Sequence, residues 1–95
     1  MENVLQELER YGIVSSGAEF SREWLGMEES YWRCLKSKRR PPSTAAIVNC
    51  AARLRRKARL LEKSSLPEAK RAALRMTALA DQCVDALLSA CDGTA

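Results

Sequence analysis

Eleven Lys/Arg and a single Glu fall in residues 33–63. Residues 1–32 carry seven Asp/Glu against two Arg, and residues 64–95 carry four acidic against three basic residues. Cations gathered in one third of a chain suit recognition of a polyanion, since each neutralised phosphate releases a counterion. The net charge of +4 understates that concentration. Solvated helix faces have the same signature, and charge alone does not separate the two. Other chemistry finds little material. The chain has no His, and Cys34, Cys50, Cys83 and Cys91 lack the short paired spacing that zinc requires. There is no Gly-rich phosphate loop, no nucleophile motif and no pocket pattern of carboxylates. Neither an enzyme nor a metal or cofactor site is therefore expected. On predicted helices beside apolar neighbours, the thiols read as small core hydrophobes.

The elements that hold these residues must be helices. Leu and Ala dominate a 95-residue chain that is 46% hydrophobic and only 5% aromatic, which favours helix packed on helix. That length suits one domain. No apolar run approaches the ~20 residues needed to span a bilayer. The acidic N-terminus is unlike a signal peptide, so a cytoplasmic protein is expected.

Helix 1 is predicted from Glu2 to Tyr11, with Val4, Leu5, Leu8 and Tyr11 on one face and Gly12 as its stop. Ile13 and Val14 then close over the core. Ser16 to Glu19 matches a capping box opening helix 2, which buries Phe20, Trp24 and Leu25 and ends at a positive-φ Gly26. Met27 returns to the core. Helix 3 starts near Glu28 or Glu29 and runs to Ser37, anchored inward by Trp32 and Leu35. Pro41-Pro42 ends the basic loop Lys38–Arg40, and Ser43 caps helix 4, predicted over Thr44–Glu62. Its apolar seam is Ile47, Ala51, Leu54, Ala58 and Leu61. After a break at Lys63–Ser65, Ser65 to Glu68 forms a second capping box. Helix 5 follows to Cys91 with Ala69, Ala73, Met76, Ala80, Cys83, Leu87 and Ala90 in a four-three rhythm. Leu79, Val84, Leu88 and Cys91 widen its stripe beyond what a small monomer covers. Residues 92–95 are expected to be a disordered tail. A helix, a Gly-bearing turn and a second helix are what proteins use to set one helix in the DNA major groove.

From residue 16 to 54 the chain resembles the lambda-repressor-like (Cro/C1-type) helix-turn-helix domain. The residues that carry this are Gly26, Met27, Trp32, Leu35, Pro42-Ser43 and the segment Cys50-Ala51-Ala52-Arg53-Leu54. The match covers some two fifths of the chain and consists of spacing and a few residue types. Two departures stand out. Phe20 and Ser21 are displaced by one residue relative to the Gly26 turn, with Arg22 where the family has Ala. Either helix 2 or its turn is longer, or its packing on helix 3 differs. Glu28-Glu29 also opens the presumed recognition helix, where phosphates approach.

The resemblance implies an all-α fold of five helices. Residues 1–63 would form the DNA-binding unit and residues 64–91 a C-terminal dimerisation helix. It implies base reading by Glu29, Ser30, Arg33, Cys34 and Ser37, with Arg33 bidentate to a guanine. Phosphate contacts would come from Ser16, Tyr31, Lys36, Lys38, Arg39, Arg40, Ser43 and Thr44. Tyr31 reads as half-exposed, since it cannot point inward beside Trp32. Arg53, Arg55, Arg56, Lys57 and Arg59 cannot all face one ligand; Arg55, Arg56 and Arg59 would extend the basic surface, or others of the cluster simply pair with the acidic N-terminal segment. Met76, Leu79, Cys83, Val84, Leu87 and Leu88 would form the dimer interface. The expected function is a sequence-specific regulator of bacterial or phage type, a homodimer on a palindromic operator in double-stranded DNA. The alternative is an adaptor or antitoxin-like module that keeps the fold without reading DNA. The two differ in salt dependence.

Overall fold

The computed structural model describes residues 2–93, with side chains through residue 89. Every regular element among them is helical. Helix α1 spans Glu2–Arg10, and α2 begins at Gly17–Glu19 and continues as a π-helical turn over Phe20–Trp24. Then come α3 (Tyr31–Lys38), α4 (Thr44–Glu62) and α5 (Pro67–Gly93). This is the all-α, five-helix arrangement expected from apolar spacing, with long fourth and fifth helices. No helix among the described residues is long and apolar enough to cross a membrane. Internal contacts divide the chain into two units, Met1–Asn49 and Cys50–Ala95, and the division falls inside α4. The sequence suggests instead a single domain with its functional join after residue 63.

In the first unit α1 buries Val4, Leu5 and Leu8. Tyr11 does not join them. The helix ends at Arg10, Gly12 turns the chain at φ 70°, and Tyr11 is left 43% exposed. The Glu19 N–H donates to the Ser16 hydroxyl at 3.1 Å, as the capping box requires, while the Glu19 carboxylate accepts from Ser15 at 2.7 Å. Beyond Glu19 the helix widens. The Leu25 N–H donates to the Phe20 carbonyl at 3.0 Å, five residues back instead of four. A π turn absorbs one extra residue and keeps both ends of a helix in register. Here it puts Phe20, Ser21, Trp24 and Leu25 into the core together.

Gly26 then turns at φ 67°, and the Met27 N–H donates to the Ser21 carbonyl at 2.9 Å. Helix α3 begins at Tyr31, later than predicted, so Glu28, Glu29 and Ser30 belong to the turn. The acidic pair resembles a first helical turn, but each carboxylate has a nearby partner. Glu28 accepts from the Ser30 hydroxyl at 3.0 Å and Glu29 from Arg22 at 2.6 Å. Trp32 is buried edge-on against Phe20 with ring centroids 5.3 Å apart, whereas Leu35 and Met27 are half-buried.

The second unit takes its core from two helices joined by a short connection. Ala51, Leu54 and Ala58 of α4 are buried, as are Ala72, Ala73, Met76, Leu79, Ala80 and Cys83 of α5. The Arg55–Asp81 pair at 3.7 Å links the two helices, and the Cys50 and Cys83 thiols lie close enough to influence each other. The neighbouring Cys83 thiol, with burial behind it, pushes the Cys50 thiol above the ordinary range. Cys50 and Cys83 are therefore the small core residues expected, whereas Cys34 is exposed. At the start of α5 the Leu66 N–H donates to Ser64 at 3.2 Å, and Pro67 is the first helical residue.

The predicted dimer stripe needs correction. Met76, Leu79 and Cys83 are already buried within the chain, so none is available to a second copy. Val84 and Leu87 are half-buried and Leu88 is 58% exposed. The side chains of Ala90 and Cys91 lie outside the described residues, as do Thr94 and Ala95. The helix itself continues through Asp92 to Gly93.

Candidate nucleic-acid interface

The first unit positions α3 through buried polar contacts. The Ser21 hydroxyl donates to the Gly17 carbonyl at 2.9 Å and accepts the Trp32 N–H at 2.9 Å. One fully buried side chain thus links the start of α2 to the start of α3. Asn49 Nδ2 donates to the Leu25 carbonyl at 3.0 Å, which fastens the beginning of α4 to the turn. Tyr31 reaches the same helix. Its hydroxyl accepts the Ser43 N–H at 2.9 Å and donates to Ser43 Oγ at 3.3 Å, while Ser43 Oγ caps the Ala46 N–H at 3.2 Å.

With Trp32 held inward, helical geometry turns Arg33, Cys34 and Ser37 outward, and all three are exposed. Lys36, Lys38, Arg39 and Arg40 follow on the exposed end of α3 and its loop. Lys36 approaches Glu2 only at 4.0 Å, a loose surface pair of little energetic weight. Arg39 adopts the left-handed conformation at φ 51°, and the Arg40 N–H donates to the Leu35 carbonyl at 3.0 Å. This closes the helix in the manner usually given to glycine.

Two recesses border α3. One, of about 660 Å³, is lined by Gly17, Ala18, Glu28, Glu29, Ser30, Trp32 and Arg33. The other, of about 350 Å³, is lined by Glu2, Trp32, Leu35, Lys36, Arg39, Arg40 and Pro42. Hydrogen bonds from Arg22 to Glu23 and then Glu29 hold its guanidinium firmly protonated beside the first recess. A match to the family model extends over residues 1–94. The chain belongs to DUF6626, a family of unknown function. That match takes in both units and all five helices of this DUF6626 chain, not the α2–α3 segment alone. No curated protein and no solved structure matches it.

Of the expected base-reading residues in this DUF6626 chain, Arg33, Cys34 and Ser37 share the outer face of α3. Glu29 and Ser30 lie before the helix, with their side chains engaged by Arg22 and Glu28. Among the expected phosphate contacts, Lys36, Lys38, Arg39, Arg40, Ser16 and Thr44 are exposed. Tyr31 is half-buried as predicted, and its hydroxyl proton is committed to Ser43, whereas the exposed Ser43 hydroxyl accepts from Tyr31 and Ala46 and keeps its own proton to donate. Sequence reading missed Ser21 and Asn49, whose partners lie eleven and twenty-four residues away. A small polar residue between Phe20 and Trp24 was the one available sign of the former.

Proposed function

We propose that this protein is a sequence-specific regulator that binds double-stranded DNA as a dimer, with α3 in the major groove. The observation that carries this reading is the braced α2–turn–α3 unit. It turns Trp32 into the core and leaves Arg33, Cys34 and Ser37 facing outward beside four exposed cations. Both departures from the lambda-repressor-like pattern have a local basis. The π turn takes up the extra residue in helix 2, and Arg22 offsets the charge of Glu29 at the leading edge. Arg33 has the planar donor fork that reads a guanine. The pairing of two copies then falls to Val84, Leu87 and Leu88, whose surfaces are not consumed by the chain's own core.

Replacing Arg33 with Ala tests the reading directly. Discrimination between a selected duplex and a scrambled one is expected to fall by roughly tenfold or more at unchanged helical content. Equal discrimination by wild type and variant in fluorescence anisotropy would remove α3 as the reader. An adaptor reading has one observation in its favour. Leu74 is 72% exposed on α5, an apolar surface that a protein partner would cover. Protein docking through that residue would show little of the steep salt dependence of phosphate contacts.

A further inference from the structure

The second unit has a cationic surface that α3 does not explain. Ala52, Arg56 and Arg59 follow one another on α4 at intervals of four and three residues, and Lys63, four residues on, stands just past the end of the helix, which stacks them along one side. Arg55 and Leu60 flank that row, and the six together line a recess of about 500 Å³. No carboxylate contributes to its lining, in contrast to the recess beside α3 with Glu28 and Glu29. Arg55, Arg56, Arg59 and Lys63 are all exposed, and Arg55 pairs with Asp81. Arg53 and Lys57 lie off this row and are half-buried. The crowded cluster therefore sorts into a strip of three outward cations, an exposed Arg55 paired with Asp81, and a half-buried Arg53 and Lys57 off the row.

We infer that Arg56, Arg59 and Lys63 form a second nucleic-acid site, one that grips the phosphate backbone without reading sequence. Two of the three are Arg, whose fork matches phosphate oxygens bidentately. From Arg56 to Lys63 the strip runs about 10 Å along the helix axis. That corresponds to roughly three phosphates of one strand along a duplex. An acidic protein surface would also attract the charge. The regular row, the Arg forks and the lack of any lining carboxylate favour a repeating anion. This inference rests on the DNA-binding reading for its biological setting, but the strip is separate in sequence and chemistry from the face of α3.

The test uses the full chain and a scrambled duplex of about 24 base pairs, long enough to span the strip several times over, followed by anisotropy over a series of salt concentrations. The triple variant R56Q/R59Q/K63Q is expected to lower the slope of log affinity against log salt by about 0.9 per lost contact, close to three in all. R56K/R59K, which keeps the charge, is expected to retain the wild-type slope. Circular dichroism checks that these exposed substitutions leave the helices intact. An unchanged slope in the triple variant overturns the strip while leaving α3 as the reader. Scrambled DNA bound through the strip, with no preference for any selected site, upholds it and sinks the sequence-specific reading. Failure of the wild-type chain to bind any duplex overturns both.

Discussion

Arg39 holds φ 51° and ψ 42° at the end of α3, a conformation that costs a non-glycine residue about 1 kcal/mol or more. Its side chain is exposed among Lys38 and Arg40, where, on the proposed DNA-binding reading, a charge serves better than a hydrogen atom would. Strain retained at such a position points to use. Arg39→Gly is therefore expected to raise stability by about 1 kcal/mol in urea unfolding. The same change is expected to reduce the salt slope of DNA binding by about 0.9. A variant no more stable than wild type would show that the left-handed turn is not strained. The roles of Arg33, Cys34 and Ser37 as outward residues were legible from the helical period once Trp32 was placed inward. The roles of Ser21 and Tyr31 were not. Each acts through a hydrogen bond to a residue eleven or twelve positions away, and local spacing carries no trace of such a partner.

At the scale of elements, the bounds of α4 coincide with Thr44–Glu62 as read from Ser43, the prolines and the apolar seam. The start of α3 was less legible, because Glu28-Glu29 has the charge of a first helical turn whether or not it is one. The π turn was visible only as a one-residue mismatch. Its energetics can be tested by shortening it. Deleting Arg22, an exposed residue of the turn, leaves Phe20 and Leu25 four apart and lets an ordinary α turn bury the same side chains. The deletion variant is expected to fold with wild-type helical content and to lose no more than about 1 kcal/mol of stability in urea unfolding. Collapse of the near-ultraviolet signal from Trp24 and Trp32 would instead show that five residues are required there.

On the scale of the whole molecule, the helical class was legible and the use of the α5 stripe was not. Apolar periodicity shows that Met76, Leu79 and Cys83 face something, but not whether that something is the chain's own core or a second copy. Burial assigns them to the core and leaves Val84 and Leu87 half-buried and Leu88 exposed. Charge patterning had the opposite fate. Eleven cations in residues 33–63 suggest a polyanion surface, and the structure sorts them into exposed residues on and after α3, exposed residues on and just past α4, and a half-buried Arg53 and Lys57. One α3 offers few base contacts, so specificity calls for two copies on half-sites about 34 Å apart. The measurement that bears most directly on this account is selection of random duplex DNA by the purified full chain at low and high salt. The expected result is enrichment of a palindromic sequence at both salts, with affinity falling steeply as salt rises. Recovery of no enriched sequence at either salt would contradict it.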